Sequence, residues 1–351
     1  MTDYLVVGSG LAGIAFCRIL QKNRKSFFLY DDGVQRSSAV AAGVYNPVVL
    51  KRLTAVWKAK EQLDIALPFY EALEKELGVT FHYKLPVYRK FASVEEQNRW
   101  FEAADKSTLQ PFLSPVLIRN DNPYLHAPLG FGEVWHTGRI DVTALQNGFR
   151  KQLRQKKSLI EEHFNYEALN ISPETVTYKD RKAKHIVFCE GSGMCHNPFF
   201  NYLPLRGTKG ELLTVKAPQL KLKAIVKSTV FIIPVGNNTY KVGATYHWKD
   251  KTPGITPEAR AELITKLKTL LPCSFEVIHQ EAGIRPTVID RRPLAGTHPV
   301  FRNLHVLNGL GSRGVMAAPF AALQLYHHIE NYAPLYKEMD IKRFEKKYFS
   351  P

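Results

Sequence analysis

Three glycines near the start of the chain constrain its fold more than any other sequence feature. They stand in YLVVGSGLAG as Gly8-x-Gly10-x-x-Gly13, between an apolar segment and a run with helical spacing. In a strand–turn–helix unit the first glycine makes the tight turn, the second lets a pyrophosphate approach, and the third lets the helix pack closely. The N-terminus of the following helix offers free amides and partial positive charge to phosphates. The pattern predicts a β-α-β dinucleotide-binding fold.

The residues after this unit favour one dinucleotide. A second predicted strand, SFFLYDD, ends in carboxylates that can accept hydrogen bonds from an adenosine ribose and would repel a 2′-phosphate. The next segment, RSSAVAAG, is rich in small residues and leaves room for a bulky ring system, which an NAD site does not need there. An extended FAD is therefore preferred. The candidate cofactor residues at this end are Gly8, Ser9, Gly10, Leu11, Ala12, Gly13, Asp31, Asp32, Ser37, Ser38, Ala42 and Gly43.

A second glycine motif lies near the other end, in LHVLNGLGSRGVMAAPF, as Gly309-x-Gly311-x-x-Gly314. It could mark a second nucleotide site or a second contact with the same ligand. The helix predicted after Gly314 runs to about Glu330, and no strand with a terminal acid follows to hold a second ribose. The motif is interpreted as a turn against the ring of one ligand. Its helix N-terminus would place partial positive charge where the ring becomes negative on reduction.

The rest of the chain alternates between two textures. Helical spacing covers 55–78, ending at Gly78, then 142–153, where Asp141 is a candidate N-cap, and 256–272. Polar–apolar alternation from Leu205 to about Trp248 predicts antiparallel strands of a second sheet. The expected fold is mixed α/β, with Rossmann-type segments and an inserted antiparallel sheet. Two discontinuous domains and a basic tail are expected. The dinucleotide-binding domain comprises 1–80, 141–205 and 284–335, and the substrate domain comprises 81–140 and 206–283. The basic tail is 336–351.

Composition narrows the class of protein. The chain has 351 residues, of which 45% are hydrophobic, enough for a sizeable core. No apolar run approaches the length of a membrane span and no leader is evident, so a cytoplasmic protein is expected. The four cysteines lack disulfide or metal spacing and are expected to be reduced thiols in or near the core.

The net charge is unusual. A formal charge of +16 implies a positive field that attracts anions, from small carboxylates to nucleic acid. Basic clusters occur at 150–157, 179–184 and in the C-terminal tail. Each is either a solvated helix face, turn or terminus, or part of a surface for a polyanionic partner.

Four segments together resemble the D-amino-acid oxidase superfamily: VVGSGLAG…YDD, SSAVAAG, AGIRPTVIDRRPLAG and NGLGSRGVMAAP. The resemblance implies a FAD-binding domain of glutathione-reductase type and a substrate domain whose antiparallel sheet covers the flavin. It implies that the pyrophosphate lies at the first glycine turn and the ring near SSAVAAG and the last turn. The further FAD contacts that it implies are Tyr166, Cys189, Gly191, Gly283, Gly309, Gly311, Ser312, Arg313, Gly314 and Val315.

The implied chemistry is oxidation of the C–N bond of an amino acid or secondary amine, with the flavin as hydride acceptor. Arg285 in AGIRP matches the family position that grips the substrate carboxylate, or it braces the domain junction. Arg313 either faces the substrate or fixes its turn. Tyr246 and His247 either line the pocket or serve ordinary packing. No metal-ligand cluster is evident.

Two other functions remain open. GLGSRG also resembles the FAD-dependent half of the bifunctional enzyme that matures 5-methylaminomethyl-2-thiouridine in tRNA. That resemblance implies oxidative removal of a carboxymethyl group from a modified tRNA uridine, with basic residues of the protein contacting the tRNA phosphates. The third function is a non-catalytic, basic nucleic-acid-binding protein, although no aromatic-interleaved RNA motif is present.

Overall fold

The chain combines helices with runs of consecutive strands. The computed structural model describes residues 1–34, 37–248, 250–252 and 254–349; Arg36 of the RSSAVAAG segment and residues 350–351 of the predicted tail lie outside them. The helices are α1 (Leu11–Lys22), α2 (Ser37–Val40), α3 (Ala59–Leu77), α4 (Val94–Ala104), α5 (Val142–Gln155), α6 (Pro257–Lys268), α7 (Gly314–Asn331) and α8 (Glu345–Tyr348). The strands are β1 (Thr2–Val7), β2 (Phe27–Tyr30), β3 (Val44–Tyr45), β4 (Val48–Val49), β5 (Thr54–Ala55), β6 (His82–Lys84), β7 (Val87–Lys90), β8 (Phe131–Val134), β9 (Gly138–Ile140), β10 (Leu159–Ile160), β11 (Leu169–Ile171), β12 (Val176–Tyr178), β13 (Arg181–Phe188), β14 (Leu205–Lys216), β15 (Ile225–Lys227), β16 (Phe231–Gly236), β17 (Thr239–Gly243), β18 (Glu276–Val288), β19 (Leu294–Thr297) and β20 (Leu304–Asn308).

The first sheet contains the predicted β-α-β opening. Its strand order is β10-β2-β1-β13-β12-β11. In addition, β20 pairs with β13, and β19 pairs with β20. Strands β10, β2, β1, β13 and β20 are parallel, so their carboxyl ends meet at one edge. Both glycine turns, the acids after β2 and the turn after β13 therefore share that edge, which in parallel sheets is the ligand-binding edge.

The second sheet is largely antiparallel, as the alternating pattern predicts. Its order is β18-β14-β17-β16-β15-β7-β8, and only β15 and β7 run parallel. Along β17, Tyr240 and Val242 are buried against the side of the sheet that α6 covers, in a core with Leu263 and Leu267. The alternate residues face the opposite way, toward the first sheet. Together the sheets and helices form a mixed α/β fold.

Several helix boundaries follow from local chemistry. The Asp141 carboxylate accepts a hydrogen bond from the Ala144 amide at 3.0 Å, so the predicted N-cap of α5 is confirmed. Gly78 ends α3 in a left-handed conformation, as predicted. The start of α3 was wrong by four residues: Ala55 pairs with Val48 in a small hairpin, and left-handed Lys58 separates that hairpin from the helix.

Other sequence expectations need correction. Helix α4 was not predicted. Residues 81–91 form two strands of different sheets, because the chain bends at Leu85–Pro86. Tyr246 and His247 lie beyond β17, which ends at Gly243, rather than within it. Cys195 is exposed, whereas the other cysteines are buried.

The core between the first sheet and helices α1, α3, α5 and α7 depends on close packing at the first turn. A Cβ at Gly13 would overlap the Gly8 carbonyl oxygen, so only glycine lets α1 approach the strand so closely. Across the core, the buried Tyr70 hydroxyl donates to the Val315 carbonyl at 2.8 Å and ties α3 to α7. Within the described parts of the chain, every helix is too short or too polar to span a bilayer.

Candidate functional site

A cavity of about 710 Å³ runs from the carboxyl edge of the first sheet to the open face of the second. Both glycine turns contribute to its wall, so the two ends of the sequence meet there. The predicted residues on the wall are Gly8, Ser9, Gly10, Leu11, Ala12, Asp31, Asp32, Ser37, Ser38, Ala42, Gly43, Tyr166, Cys189, Gly191, Tyr246, Gly283, Arg285, Gly311, Ser312, Arg313, Gly314 and Val315.

Three predicted site residues lie off this wall. Gly13 packs under the first turn. Gly309 has a φ of +70° and a Cβ there would lie 2.5 Å from Val288 Cγ2, so it shapes the last turn without reaching the cavity. His247 exchanges backbone hydrogen bonds with Lys209 at 3.0 Å, and its side chain is half exposed.

The first turn is organised as an anion site. The ladder of α1 begins with the Ile14 amide donating to the Gly10 carbonyl at 2.9 Å, which leaves the preceding amides unused by the helix. The Ser9 amide donates to Asp31 Oδ2 at 2.6 Å. Arg150 donates to the other oxygen of Asp31 and to Ser9 Oγ. The Asp31 carboxylate is therefore held against the first turn, and Arg150 neutralises part of its charge. Its remaining lone pairs can accept hydrogen bonds from a ribose.

Arg150 was missed as a site residue by sequence reasoning, which placed it only in the basic cluster 150–157. The signal was its position directly after Phe149, on the predicted apolar face of α5. In addition to Asp31 and Ser9, Arg150 contacts Glu161: its guanidinium donates to Glu161 Oε1 at 2.8 Å. Arg154 also pairs with Glu161, and these two arginines hold the pKa of that carboxyl at about 2. Part of the cluster is thus internally neutralised.

A buried carboxylate lies beside the same end of the cavity. Burial raises the pKa of Glu190 to about 7, although hydrogen bonds from Tyr166 and Asn197 stabilise its charged form. The family resemblance implies that Glu190 belongs, with Cys189 and Gly191, to a turn that lines FAD, and Glu190 does line the cavity. No sequence pattern indicated that its carboxylate is buried. Near Glu190, Asp32 Oδ2 lies 2.7 Å from His163 Nδ1. Burial alone would raise the pKa of Asp32, but hydrogen bonds, chiefly the one with His163, lower this pKa overall.

The sheet end of the cavity carries the opposite charge. The guanidinium of Arg285 lies directly over Gly210, where any side chain would collide with it. Its Cζ is 4.4 Å from the centroid of the Tyr246 ring, and burial lowers its pKa. Burial also lowers the pKa of Arg313. Among the described residues, neither arginine has a carboxylate partner within ion-pair distance.

A third cation at this end is Lys227, which sequence reasoning missed. It lines the cavity from β15, and its Nζ lies 4.6 Å from the centroid of the Phe231 ring. Burial lowers its pKa to about 8, and the nearby charges of Arg89 and Lys266 add to that effect. Only the alternation of the strand hinted that Lys227 shares a face with Ile225 rather than pointing to solvent.

The cavity is thus electrostatically divided. Its acidic residues, Asp31, Asp32, Glu162 and Glu190, cluster at the first-sheet end, and its buried cations lie at the second-sheet end. Such a site can hold ribose hydroxyls and phosphates at one end and an anionic group at the other. No cluster of three or more His, Cys, Asp or Glu side chains in the described ranges could hold a metal.

An extended dinucleotide with a ring system fits these walls. The amides of the first turn are free of the helix ladder, and Gly10 leaves its Cβ position open except for Ser38 Oγ at 3.2 Å. Ser37 Oγ donates to the Ile284 carbonyl at 2.8 Å, which fixes the small-residue segment against β18. Room for a flat ring therefore lies between that segment and the last glycine turn.

Comparisons with known proteins agree with this geometry. The sequence profile described as FAD dependent oxidoreductase matches residues 3–326. The tRNA 5-methylaminomethyl-2-thiouridine biosynthesis bifunctional protein MnmC of Marinobacter nauticus is 21% identical over 93% of this chain and 55% of its own length. Glycine oxidase of Bacillus subtilis is 25% identical over 90% of both proteins. The crystal structure of glycine oxidase from Bacillus cereus superimposes with a TM-score of 0.77 at 20% identity, covering 95% of this chain and 96% of the other. The chain therefore spans little more than half the length of the first of these relatives and most of the others.

Proposed function

The chain belongs to the family of FAD dependent oxidoreductases, and on that premise we propose that it oxidises the C–N bond of an amino acid or secondary amine. FAD, when bound, supplies the electron acceptor for this chemistry. The chain's own residues bind the carboxylate of the substrate, set the protonation state of its amine and exclude water. The observation that carries the proposal is Arg285, which is partly buried in the cavity wall and has no carboxylate partner among the described residues.

For the cofactor, we infer a glutathione-reductase type of FAD domain with the pyrophosphate at Gly8–Gly13. Asp31 would accept hydrogen bonds from the ribose, and the segment 37–43 and the turn 309–315 would hold the ring. The proposed domain division follows the sequence expectation: 1–80, 141–205 and 284–335 bind FAD, and 81–140 and 206–283 bind the substrate. The boundary at 284 falls inside β18, which supplies both Gly283 and Arg285 to the cavity.

Two features of the sheet end support an amino-acid substrate. A guanidinium presents parallel N–H groups that match a carboxylate, and Tyr246 stacks on the Arg285 guanidinium and restricts its orientation. An amine must be neutral before it can be oxidised in this way. The buried cations Arg285, Arg313 and Lys227 lower the pKa of an amine bound among them, because a second positive charge there is unfavourable.

A substrate screen tests this proposal. Purified protein should show the visible absorbance of bound flavin, and glycine, sarcosine, proline or a D-amino acid should bleach it under anaerobic conditions. Arg285→Met should raise the dissociation constant for the amino acid roughly 10- to 150-fold by removing charge-assisted hydrogen bonds. Arg285→Lys should restore only part of that affinity, since a lysine cannot make the bidentate pair.

The control is Arg302→Met, which changes an exposed arginine outside the cavity. It should leave both flavin content and amine affinity as in the unmodified protein. A flavin-containing protein that no amino acid or secondary amine reduces would contradict the proposal. So would an Arg285→Met variant with unchanged affinity.

A second candidate function is oxidative removal of a carboxymethyl group from a tRNA uridine. The observation that favours it is the basic rim of the cavity. Lys51 lines the cavity. Burial lowers the pKa of Arg313, and the positive charges of Arg291 and Arg292 nearby lower it further. The Arg292 guanidinium lies 5.7 Å from the centroid of the Trp57 ring. Cations beside an aromatic ring suit an unpaired nucleotide and its phosphates. The non-catalytic alternative is not retained, because the family consists of oxidoreductases.

Binding and reduction together separate the two candidates. Bleaching only by carboxymethylaminomethyl-modified tRNA, with binding that weakens steeply as salt rises, would favour the tRNA function. Bleaching by free amino acids, with no salt-dependent tRNA binding, would favour the small-molecule function.

A further inference from the structure

Lys227 is a partly buried cation without a carboxylate partner among the described residues. No carboxylate of the described residues lies within ion-pair distance of its Nζ, and its charged neighbours Arg89 and Lys266 are themselves cations. Arg89 is already paired with Glu96. Burying an ammonium without a partner is costly, so proteins retain one where a ligand supplies the missing charge. Lys227 lines the cavity, and its Nζ lies 4.6 Å from the ring centroid of Phe231, another lining residue, so a ligand in the cavity has access to this side chain.

The second sheet sets the spacing between Lys227 and Arg285. Phe231, under the Lys227 ammonium, is directly opposite Gly243 on β17, which is opposite Leu212 on β14. Gly210, under the Arg285 guanidinium, lies two residues along β14 from Leu212. With strands about 4.8 Å apart and a rise of about 3.4 Å per residue, the backbone positions of Phe231 and Gly210 are roughly 12 Å apart.

The cavity wall between these two cations is apolar. The side chains of Leu212 and Phe231 line it, and Leu212 also covers Gly243, whose Cβ position lies 2.4 Å from Leu212 Cδ2. Both cations line one cavity, so a single ligand with two anionic groups can contact both of them.

We propose that the substrate of this enzyme is an amine carrying two anionic groups, one bound by Arg285 and the other by Lys227. The inference rests on the proposed amine oxidation and names its substrate class. Lys227 is then a specificity-determining residue, because an amine with a single carboxylate leaves the lysine unpaired. The lowered pKa of Lys227 supports this role, since binding of an anion would raise it again.

The experiment compares two inert ligands on the oxidised, FAD-containing enzyme. Diglycolate has two carboxylates flanking an ether oxygen, and methoxyacetate has one; neither has an amine to oxidise. Titration followed by the visible spectrum of the bound flavin measures both dissociation constants. Diglycolate is expected to bind roughly 10- to 100-fold more tightly than methoxyacetate. Its advantage should decline above about pH 8, as Lys227 loses its proton, while methoxyacetate binding changes less.

Four variants assign the effect. Lys227→Met should remove the preference for diglycolate and leave methoxyacetate binding unchanged, and Lys227→Arg should retain the preference. Lys223→Met is the matched control, an exposed lysine just before β15 and outside the cavity, and should behave like the unmodified enzyme. Arg285→Met should weaken both ligands.

Equal affinity for the two ligands in the unmodified enzyme would overturn the inference, as would a preference that survives Lys227→Met. A Lys227→Met enzyme that only reacts more slowly with oxygen, with its ligand preference intact, would also overturn it. Because these ligands are not turned over, the result is independent of the amine screen, so failure of either proposal can be recognised separately.

Discussion

Replacing Gly210 by alanine tests the position of the substrate-binding arginine. The three atoms nearest to a Cβ at this position all belong to the Arg285 guanidinium. The guanidinium is the free end of a flexible side chain, so it can move aside while the backbone of β14 stays in place. The φ of Gly210 lies outside the left-handed region, and alanine is compatible with it.

The expected effects on stability and on binding therefore differ sharply. Alanine in a permitted strand position changes the free energy of unfolding by less than about 1 kcal/mol, and in the stabilising direction if strain is absent. Displacing the guanidinium removes at least one hydrogen bond to a charged carboxylate, worth about 1.5–3 kcal/mol. The dissociation constant of a carboxylate ligand should rise roughly 10- to 150-fold.

Flavin absorbance titrations with methoxyacetate and urea unfolding measure these two quantities on the same preparation. The control is Gly148→Ala in α5, where the new Cβ would make only an ordinary contact, 3.4 Å from Leu77 Cδ1. That variant should bind the ligand normally. If Gly210→Ala also binds normally, Arg285 does not hold the carboxylate from the position over Gly210, and the reasoning is refuted.

Further predictions concern the turn, a buried ion pair and pH. The Gly13→Ala variant should lose FAD and about 1–3 kcal/mol of its free energy of unfolding, because the alanine Cβ would overlap the rigid Gly8 carbonyl. The flavin content per protein and urea unfolding measure these two effects. A variant with full flavin content would contradict the prediction. Lys209→Met should lower the free energy of unfolding by about 3–5 kcal/mol, because it leaves the fully buried Glu211 carboxylate, 3.7 Å from the Lys209 ammonium, without this cation; a change below about 1 kcal/mol would contradict this reasoning. Burial raises the folded-state pKa of Glu190 to about 7 from an ordinary 4.5, so the folded protein keeps a proton that the unfolded chain loses between these values. Stability should therefore fall as pH rises through this window, by up to about 1.4 kcal/mol per pH unit, and Glu190→Gln should remove this contribution; unfolding by urea at pH 5 to 8 measures the difference, and parallel curves would contradict it.

The elements that sequence reasoning predicted well are those encoded by neighbouring residues. The β1–α1–β2 unit follows from an apolar strand, a glycine turn and a helical run in immediate succession. The Asp141 cap and the Gly78 end are equally local. The start of α3 was wrong because the pairing of Thr54–Ala55 with Val48–Val49 competes with helical propensity, and spacing alone does not reveal that pairing.

Site residues with unusual electrostatics were harder to predict. Arg150 belongs to a basic run that looks solvated, yet α5 packs so that its guanidinium reaches Asp31 across the first turn. Glu190 follows a strand end whose sequence indicates only a turn, and its raised pKa depends on Tyr166 and Asn197 as neighbours. These properties depend on residues that are distant in the sequence.

The sequence alone predicted that a dinucleotide turn opens the chain and that a second glycine turn contacts the same ligand, and its family resemblance implied that Arg285 belongs to the site. Glycine spacing and strand ends are local, and parallel strands bring their carboxyl ends to one edge whatever the rest of the chain does. Only the tertiary structure decided that Lys227 lines the same cavity as Arg285 and has no carboxylate partner among the described residues. The face on which a side chain lies, and the charges around it, depend on strand register and packing between distant segments, which no local pattern specifies.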